Sequence, residues 1–178
     1  ELKELGSLKD FAKGEEIYAA RYIGNIAYFI TYHNTDPLFA VDIADPTNPI
    51  ILGQVEISGF SDYLHPFGEN LLLGLGYETD PETSERLGIK LVMFDISDPV
   101  KPSIKDFVVL DGTYTNAADN YKGILVNVKK NLIGFDTNNW RLSSKDCANY
   151  ELYQWSEDGF VQIKEMDMEY CINQYYTR

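Results

Sequence analysis

Apolar and polar residues alternate along this chain in strand-length runs. No segment keeps apolar residues at i, i+3, i+4 and i+7 beyond a turn or two. The alternation predicts strands at 17–23, 26–32, 38–43 and 50–57, then at 62–66, 71–77, 89–96 and 104–110. A looser set follows at 116–120, 124–135, 150–155 and 160–166. The best helical candidate, 1–13, reads equally well as a strand, so very little helix is expected.

Two of the turns between these runs repeat. Phe39-Ala-Val-Asp-Ile-Ala-Asp-Pro-Thr-Asn-Pro49 aligns with Val92-Met-Phe-Asp-Ile-Ser-Asp-Pro-Val-Lys-Pro102, with 53 residues between Asp42 and Asp95. In each copy a strand enters an Asp-Pro turn, where Asp45 or Asp98 can accept backbone N–H bonds and the proline presets φ. Pro49 or Pro102 then opens the next strand, where a missing N–H is tolerated. Upstream of each copy a glycine turn separates two apolar runs, at Gly24-Asn25 and at Gly68-Glu-Asn70; Lys122-Gly123 gives a third. Glycine supplies the positive φ such hairpins need.

Each unit therefore reads strand, glycine hairpin, strand, variable loop, strand, Asp-Pro turn, strand. In the third unit Ser156-Glu-Asp-Gly159 replaces the Asp-Pro turn. Four antiparallel strands repeated every 44 to 55 residues are the mark of β-propeller blades. The fold expected is all-β, a partial propeller of three four-stranded blades at 14–58, 59–112 and 113–169. Residues 1–13 read as the outer strand of a preceding blade, and 170–178 as the first strand of a following one. Propellers close with about four to eight blades. The chain is thus expected to be part of a larger propeller, or to associate with a second copy through open blade edges.

Charge narrows the partners. There are 28 Asp+Glu against 15 Lys+Arg, a formal charge of −13. Phosphate binding draws on Lys and Arg, so nucleic acid is excluded as a partner. No apolar run approaches the roughly 20 residues of a spanning helix. The chain opens on Glu1 without a basic segment leading into an apolar one, so either a targeting segment has been removed or the sequence belongs to something longer. Cys147 and Cys171 belong to no CxxC pair and have no nearby His, which argues against zinc and leaves a disulfide or two buried thiols.

Ser61, Asp62 and His65 have the residue types of a triad, but neighbours on a strand point in different directions, so His65 is expected to bond a neighbouring strand or Asp95. The loop Glu78-Thr-Asp-Pro-Glu-Thr-Ser-Glu85 holds four carboxylates without the regular calcium-loop spacing. A solvated loop with no cofactor is expected there, calcium being the one cation to test. Asp42, Asp45, Asp95 and Asp98 read as turn carboxylates, and Lys129-Lys130 as a solvent-facing pair. Leu73-Gly-Leu-Gly76 lacks the rest of a dinucleotide fingerprint. Tyr22, Tyr63, Tyr121 and Trp140 could line a sugar or peptide surface, though packing between blades is the commoner use of propeller aromatics. First strands of blades line the central channel, which makes Arg21, Asp62, His65, Asn116 and Asp119 the candidate ligand-binding residues.

The motif Gly59-Phe-Ser-Asp-Tyr-Leu-His-Pro66, with Asp36-Pro-Leu-Phe-Ala-Val-Asp-Ile-Ala-Asp-Pro46 before it and Phe94-Asp-Ile-Ser-Asp-Pro99 after it, resembles a family of secreted bacterial and archaeal proteins. Their C-terminal β-propeller domain is distantly related to WD-type repeats. The resemblance is specific across 14–102 and weak beyond Gly112. It implies a propeller, export or attachment to the cell envelope, a longer parent chain and no established catalytic activity. An exported protein meets an oxidising compartment, which favours a Cys147–Cys171 bond. The expected function is a non-catalytic extracytoplasmic binding or scaffold module for a protein, peptide or glycan at the cell surface. The alternative is a hydrolase using carboxylates in the channel of the complete propeller. The acidic charge then belongs to a solvated outer surface.

Overall fold

The structure, a computed structural model, describes residues 2–9, 12, 16–32, 36–112, 114–138 and 148–168. Three four-stranded antiparallel sheets follow one another, as in successive propeller blades. Blade 1 comprises β1 (Glu16–Ile23), β2 (Ile26–Tyr32), β3 (Asp36–Asp42) and β4 (Ile50–Ile57). Blade 2 comprises β5 (Phe60–Pro66), β6 (Leu71–Thr79), β7 (Arg86–Asp95) and β8 (Ser103–Leu110). A short helix α1 (Asn116–Asp119) precedes blade 3, built from β9 (Leu125–Asn127), β10 (Leu132–Asn138), β11 (Ala148–Ser156) and β12 (Gly159–Asp167).

Two apolar layers hold the blades together. Between blades 1 and 2, Tyr28, Ile30, Leu38 and Ala40 meet Leu64, Leu72, Val92 and Phe94. Between blades 2 and 3, Leu73, Leu75, Tyr77, Ile89, Leu91 and Met93 meet Ile133, Phe135, Tyr153 and Trp155. The middle sheet is thus covered on both faces, which is why β6 and β7 are nearly continuous apolar runs while the outer strand β8 alternates. Glycines 74 and 76 interrupt β6 where β5 crosses closely, a Cβ at Gly76 colliding with the Phe60 carbonyl.

The same interlock recurs at each seam. Every outer strand carries one extra residue relative to its partner, Leu52 in β4, Lys105 in β8 and Ile163 in β12. The residue after it addresses the last turn of the next blade: Gly53 lies against the Pro99 and Val100 carbonyls, and Asp106 Oδ2 accepts the Phe160 N–H at 2.8 Å. Gly6 faces Pro46 and Thr47 in the same manner, so residues 2–9 approach blade 1 where an outer strand would. They form no ladder with the described residues. The segment 170–178 lies outside the described residues.

Blades 1 and 2 follow the sequence reading to within a few residues. Blade 3 corrects it. Residues expected as its first strand, 116–120, form α1 instead, because Thr115 caps the turn by accepting the Ala117 N–H and Asn116 is held by Asp136. The run 124–135 is two strands rather than one. It breaks at a 3₁₀ turn, Val128–Lys130, that ends on Asn131 in the left-handed region at φ 55°. That turn, not Lys122-Gly123, is the hairpin of blade 3. As a result α1 packs between β5 of blade 2 and β10 of blade 3.

Candidate functional site

Both full-length inner strands carry a bulge near their start. In β1, Ile17 and Ala19 face Thr31 and Ile30, leaving Tyr18 without an opposite residue. In β5, Ser61 and Tyr63 face Gly76 and Leu75, leaving Asp62 in the same situation. A bulge re-aims the side chain it carries. Tyr18 meets Phe60 with ring centroids 5.2 Å apart, and Phe60 meets Tyr77 at 5.6 Å. The Arg86 guanidinium lies 4.0 Å from the Tyr77 ring centre and 5.4 Å from that of Phe60, the geometry of a cation–π contact.

Asp62 belongs to this cluster electrostatically. Burial pushes its carboxyl up to about 6, the negative charge of Asp119 adds to the rise, and Arg86 opposes it. The Thr115 N–H donates to Tyr77 Oη at 3.3 Å, tying the entry of α1 to the same aromatic group. Asp119 Oδ2 accepts a hydrogen bond from Tyr114 Oη at 3.2 Å. The Asn116 carboxamide donates to Asp136 Oδ2 at 2.5 Å, and its Oδ1 accepts from the same Tyr114 Oη at 3.4 Å. Asp136 also accepts from the Asn116 backbone N–H and from Asn138 Nδ2, so it organises α1 rather than the inner face.

Arg21 and His65 form a second group further along the inner strands. Arg21 Nε donates to the Leu64 carbonyl at 2.8 Å, Nη2 donates to the same oxygen, and the guanidinium lies 5.6 Å from the Tyr63 ring centre. Tyr63 Oη and His65 Nδ1 are 2.7 Å apart. Burial, and then the Arg21 charge, hold the His65 imidazole below its usual pKa. The expected contact of His65 with Asp95 is absent. Tyr63, two residues away on the same strand, is within reach, whereas β6 stands between β5 and Asp95 on β7. Asp95 instead accepts from Ser97 Oγ at 2.6 Å and pairs with Lys105 at 3.2 Å.

Of the five candidate residues, then, Asp62 and Asp119 come together, Arg21 and His65 come together, and Asn116 serves α1. Ser61 is buried and its Oγ makes no hydrogen bond among the described residues, so no triad assembles with His65. In the acidic loop, Asp80 Oδ1 accepts the N–H groups of Glu82 and Thr83, while Glu78 reaches Lys90, which is fully buried, at 3.4 Å. Tyr22 and Tyr121 are exposed rather than packed between blades. Trp140, Cys147 and Cys171 lie outside the described residues. Sequence reading missed Arg86, Phe60 and Tyr77. Arg86 lies 9 residues from Tyr77 and 26 from Phe60, so no local motif joins them.

The family model described as a beta propeller domain matches residues 1–177. An uncharacterized protein of Methanocaldococcus jannaschii is 39% identical over 125 residues, covering 70% of this chain and 19% of that protein. An uncharacterized protein of Archaeoglobus fulgidus is 36% identical over 125 residues, with the same coverage of both chains. The chain therefore spans about a fifth of the length of the curated relatives it matches.

Proposed function

The chain belongs to the β-propeller domain family, and from that premise we propose that it is a non-catalytic binding module of an exported or envelope-attached protein. The ligand is a protein, peptide or glycan at the cell surface, engaged at the loop end of the inner strands. The observation that carries this reading is the Arg86 guanidinium over Phe60 and Tyr77, with the Asp62 carboxyl feeling both its charge and that of Asp119. Opposite charges beside aromatic faces recognise a polar or cationic group of a partner without any nucleophile. Excess negative charge on the chain favours a partner carrying positive charge and disfavours nucleic acid. None of the helices of the described residues is long and apolar enough to cross a membrane. Distant kinship with WD-type repeats, a Cys147–Cys171 disulfide and independence from calcium or any other cofactor belong to the same proposal. Pairing of outer-strand edges with a second copy is a secondary mode of association.

One observation favours the alternative of a hydrolase. Asp62 and Asp119 are paired carboxylates in different surroundings, and such pairs divide acid and base roles. Arrays of peptides and glycans decide between the two. Retention of a cationic peptide or a glycan that weakens at least ten-fold in Asp62→Asn and Arg86→Ala supports the binding module. Turnover of ester, peptide or glycoside substrates that disappears in Asp62→Asn overturns it.

A further inference from the structure

At the opposite end of the sheets a cleft opens between blades 2 and 3, far along the strands from Asp62. Its volume is about 490 Å³, within the range of roughly 300–1,000 Å³ typical of ligand sites. Blade 2 contributes Asn70, Asp95, Ser97 and Lys105, and blade 3 contributes Trp155 and Glu157. We propose that this cleft is a binding site for a neutral carbohydrate.

The repeat itself gives the first argument. Ile43, Ile96 and Trp155 occupy equivalent places, their N–H groups donating to the carbonyls of Asn25, Asn70 and Asn131. Leu52, Lys105 and Ile163 are likewise equivalent as the extra residue of each outer strand. At the seam between blades 1 and 2 the corresponding side chains are therefore Leu52 and Ile96, with Ala44 in the place of Ser97. The second seam replaces leucine by lysine, isoleucine by tryptophan and alanine by serine. The first seam assembles with apolar residues at these three places while keeping Asn25, Asp42 and Asp98 as the counterparts of Asn70, Asp95 and Glu157, so the fold does not require Lys105, Trp155 or Ser97.

Chemistry gives the second argument. Sugar hydroxyls both donate and accept, and they need a mixed wall. Asp95 and Glu157 accept, Lys105 donates, and the Asn70 carboxamide does both. Leu71 and the exposed edge of Trp155, whose ring is otherwise buried in the seam core, supply apolar surface to the cleft. Two carboxylates against one ammonium disfavour an anion. Lys105, already 3.2 Å from Asp95, occupies the place a cationic ligand would take. The walls are fixed in advance: Ser97 Oγ and Lys105 orient Asp95, Asp106 bonds the Phe160 N–H across the seam, and Trp155 packs on Phe160 with ring centroids 4.8 Å apart. Preorganisation of this kind lowers the cost of binding.

The test uses the whole chain with Trp140→Phe, so that Trp155 is its one tryptophan. Glucose, mannose, galactose and N-acetylglucosamine are titrated while Trp155 emission and saturation transfer to the sugar protons are followed. Glucuronate and lysine amide serve as anionic and cationic probes. At least one neutral sugar is expected to saturate, with a half-point on the order of 1 mM. Glu157→Gln and Asn70→Ala should each weaken it about ten-fold while leaving the melting temperature within about 2 °C. No saturation by any neutral sugar up to about 100 mM, tighter binding of glucuronate or lysine amide, or binding indifferent to both cleft substitutions overturns the proposal.

Discussion

Replacing Asp62 by Asn should stabilise the protein at neutral pH and leave it unchanged in acid. The carboxyl is raised from 3.8 to about 6, chiefly by burial. A rise of that size corresponds to about 3 kcal/mol between the protonation states. Partial exposure at the bulge screens part of this, so about 1–2 kcal/mol is expected. Well below pH 3.8 the group is neutral both folded and unfolded, and it contributes nothing. As pH rises from there through 6 the unfolded chain ionises first, and the folded state loses stability until both forms are charged. Asparagine keeps the shape of the neutral acid and carries no charge to desolvate. Thermal unfolding followed by circular dichroism at several pH values between 3.5 and 7.5 reads the effect. The variant should melt within about 1 °C of the parent at the acid end and about 3–6 °C higher at the neutral end. His65 acts in the opposite direction. Its lowered pKa gives stability that is present above pH 6.5 and lost as pH falls below it. Both proteins carry His65, so the difference curve isolates Asp62. A variant less stable at pH 7.5, or a difference independent of pH, refutes the placement of a poorly solvated carboxylate on this bulge.

Three further outcomes follow from the seams and the core. Lys90→Ala removes the buried partner of Glu78 and should destabilise by about 3 kcal/mol, whereas Lys90→Met combined with Glu78→Gln should recover most of it in urea unfolding. Asp106→Ala breaks the bond to the Phe160 N–H and should cost about 1–2 kcal/mol, with hydrogen exchange quickening at Phe160 while blade 1 stays protected. Gly53→Ala drives a Cβ into the Val100 backbone, 2.7 Å from its carbonyl carbon, and should cost about 2–3 kcal/mol. Gly24→Ala meets no atom within 4 Å and bears only the strain of φ +58°, about 1 kcal/mol; equal losses at the two glycines in calorimetry would refute the close approach of neighbouring blades.

The propeller unit was legible because its signals are local. Alternation reports which face of a strand is buried, and Asp-Pro and glycine turns act over four or five residues, so blades 1 and 2 could be read almost strand by strand. Asp42, Asp45, Asp95 and Asp98 all proved to be turn acceptors, each binding a backbone N–H two residues on. Blade 3 misled where distant residues overrule local pattern. Asp136 holds Asn116 from 20 residues away, and Asn131 rather than Gly123 supplies the left-handed turn. Asparagine tolerates that conformation, so the run Lys129-Lys130-Asn131 did hold a signal for its hairpin.

Side-chain function was less legible, for a related reason. The sequence determined that Asp62 and His65 sit on an inner strand and that acidic residues abound. Only the tertiary structure decided that Asp62 stands on a bulge near Asp119 and Arg86, that His65 bonds Tyr63 and not Asp95, and that Lys105 and Trp155 meet across a seam. A bulge is one unpaired residue whose place depends on the opposing strand, and a seam joins residues about 50 positions apart in the chain. Neither leaves a periodic trace, because both are settled by how finished sheets pack against one another.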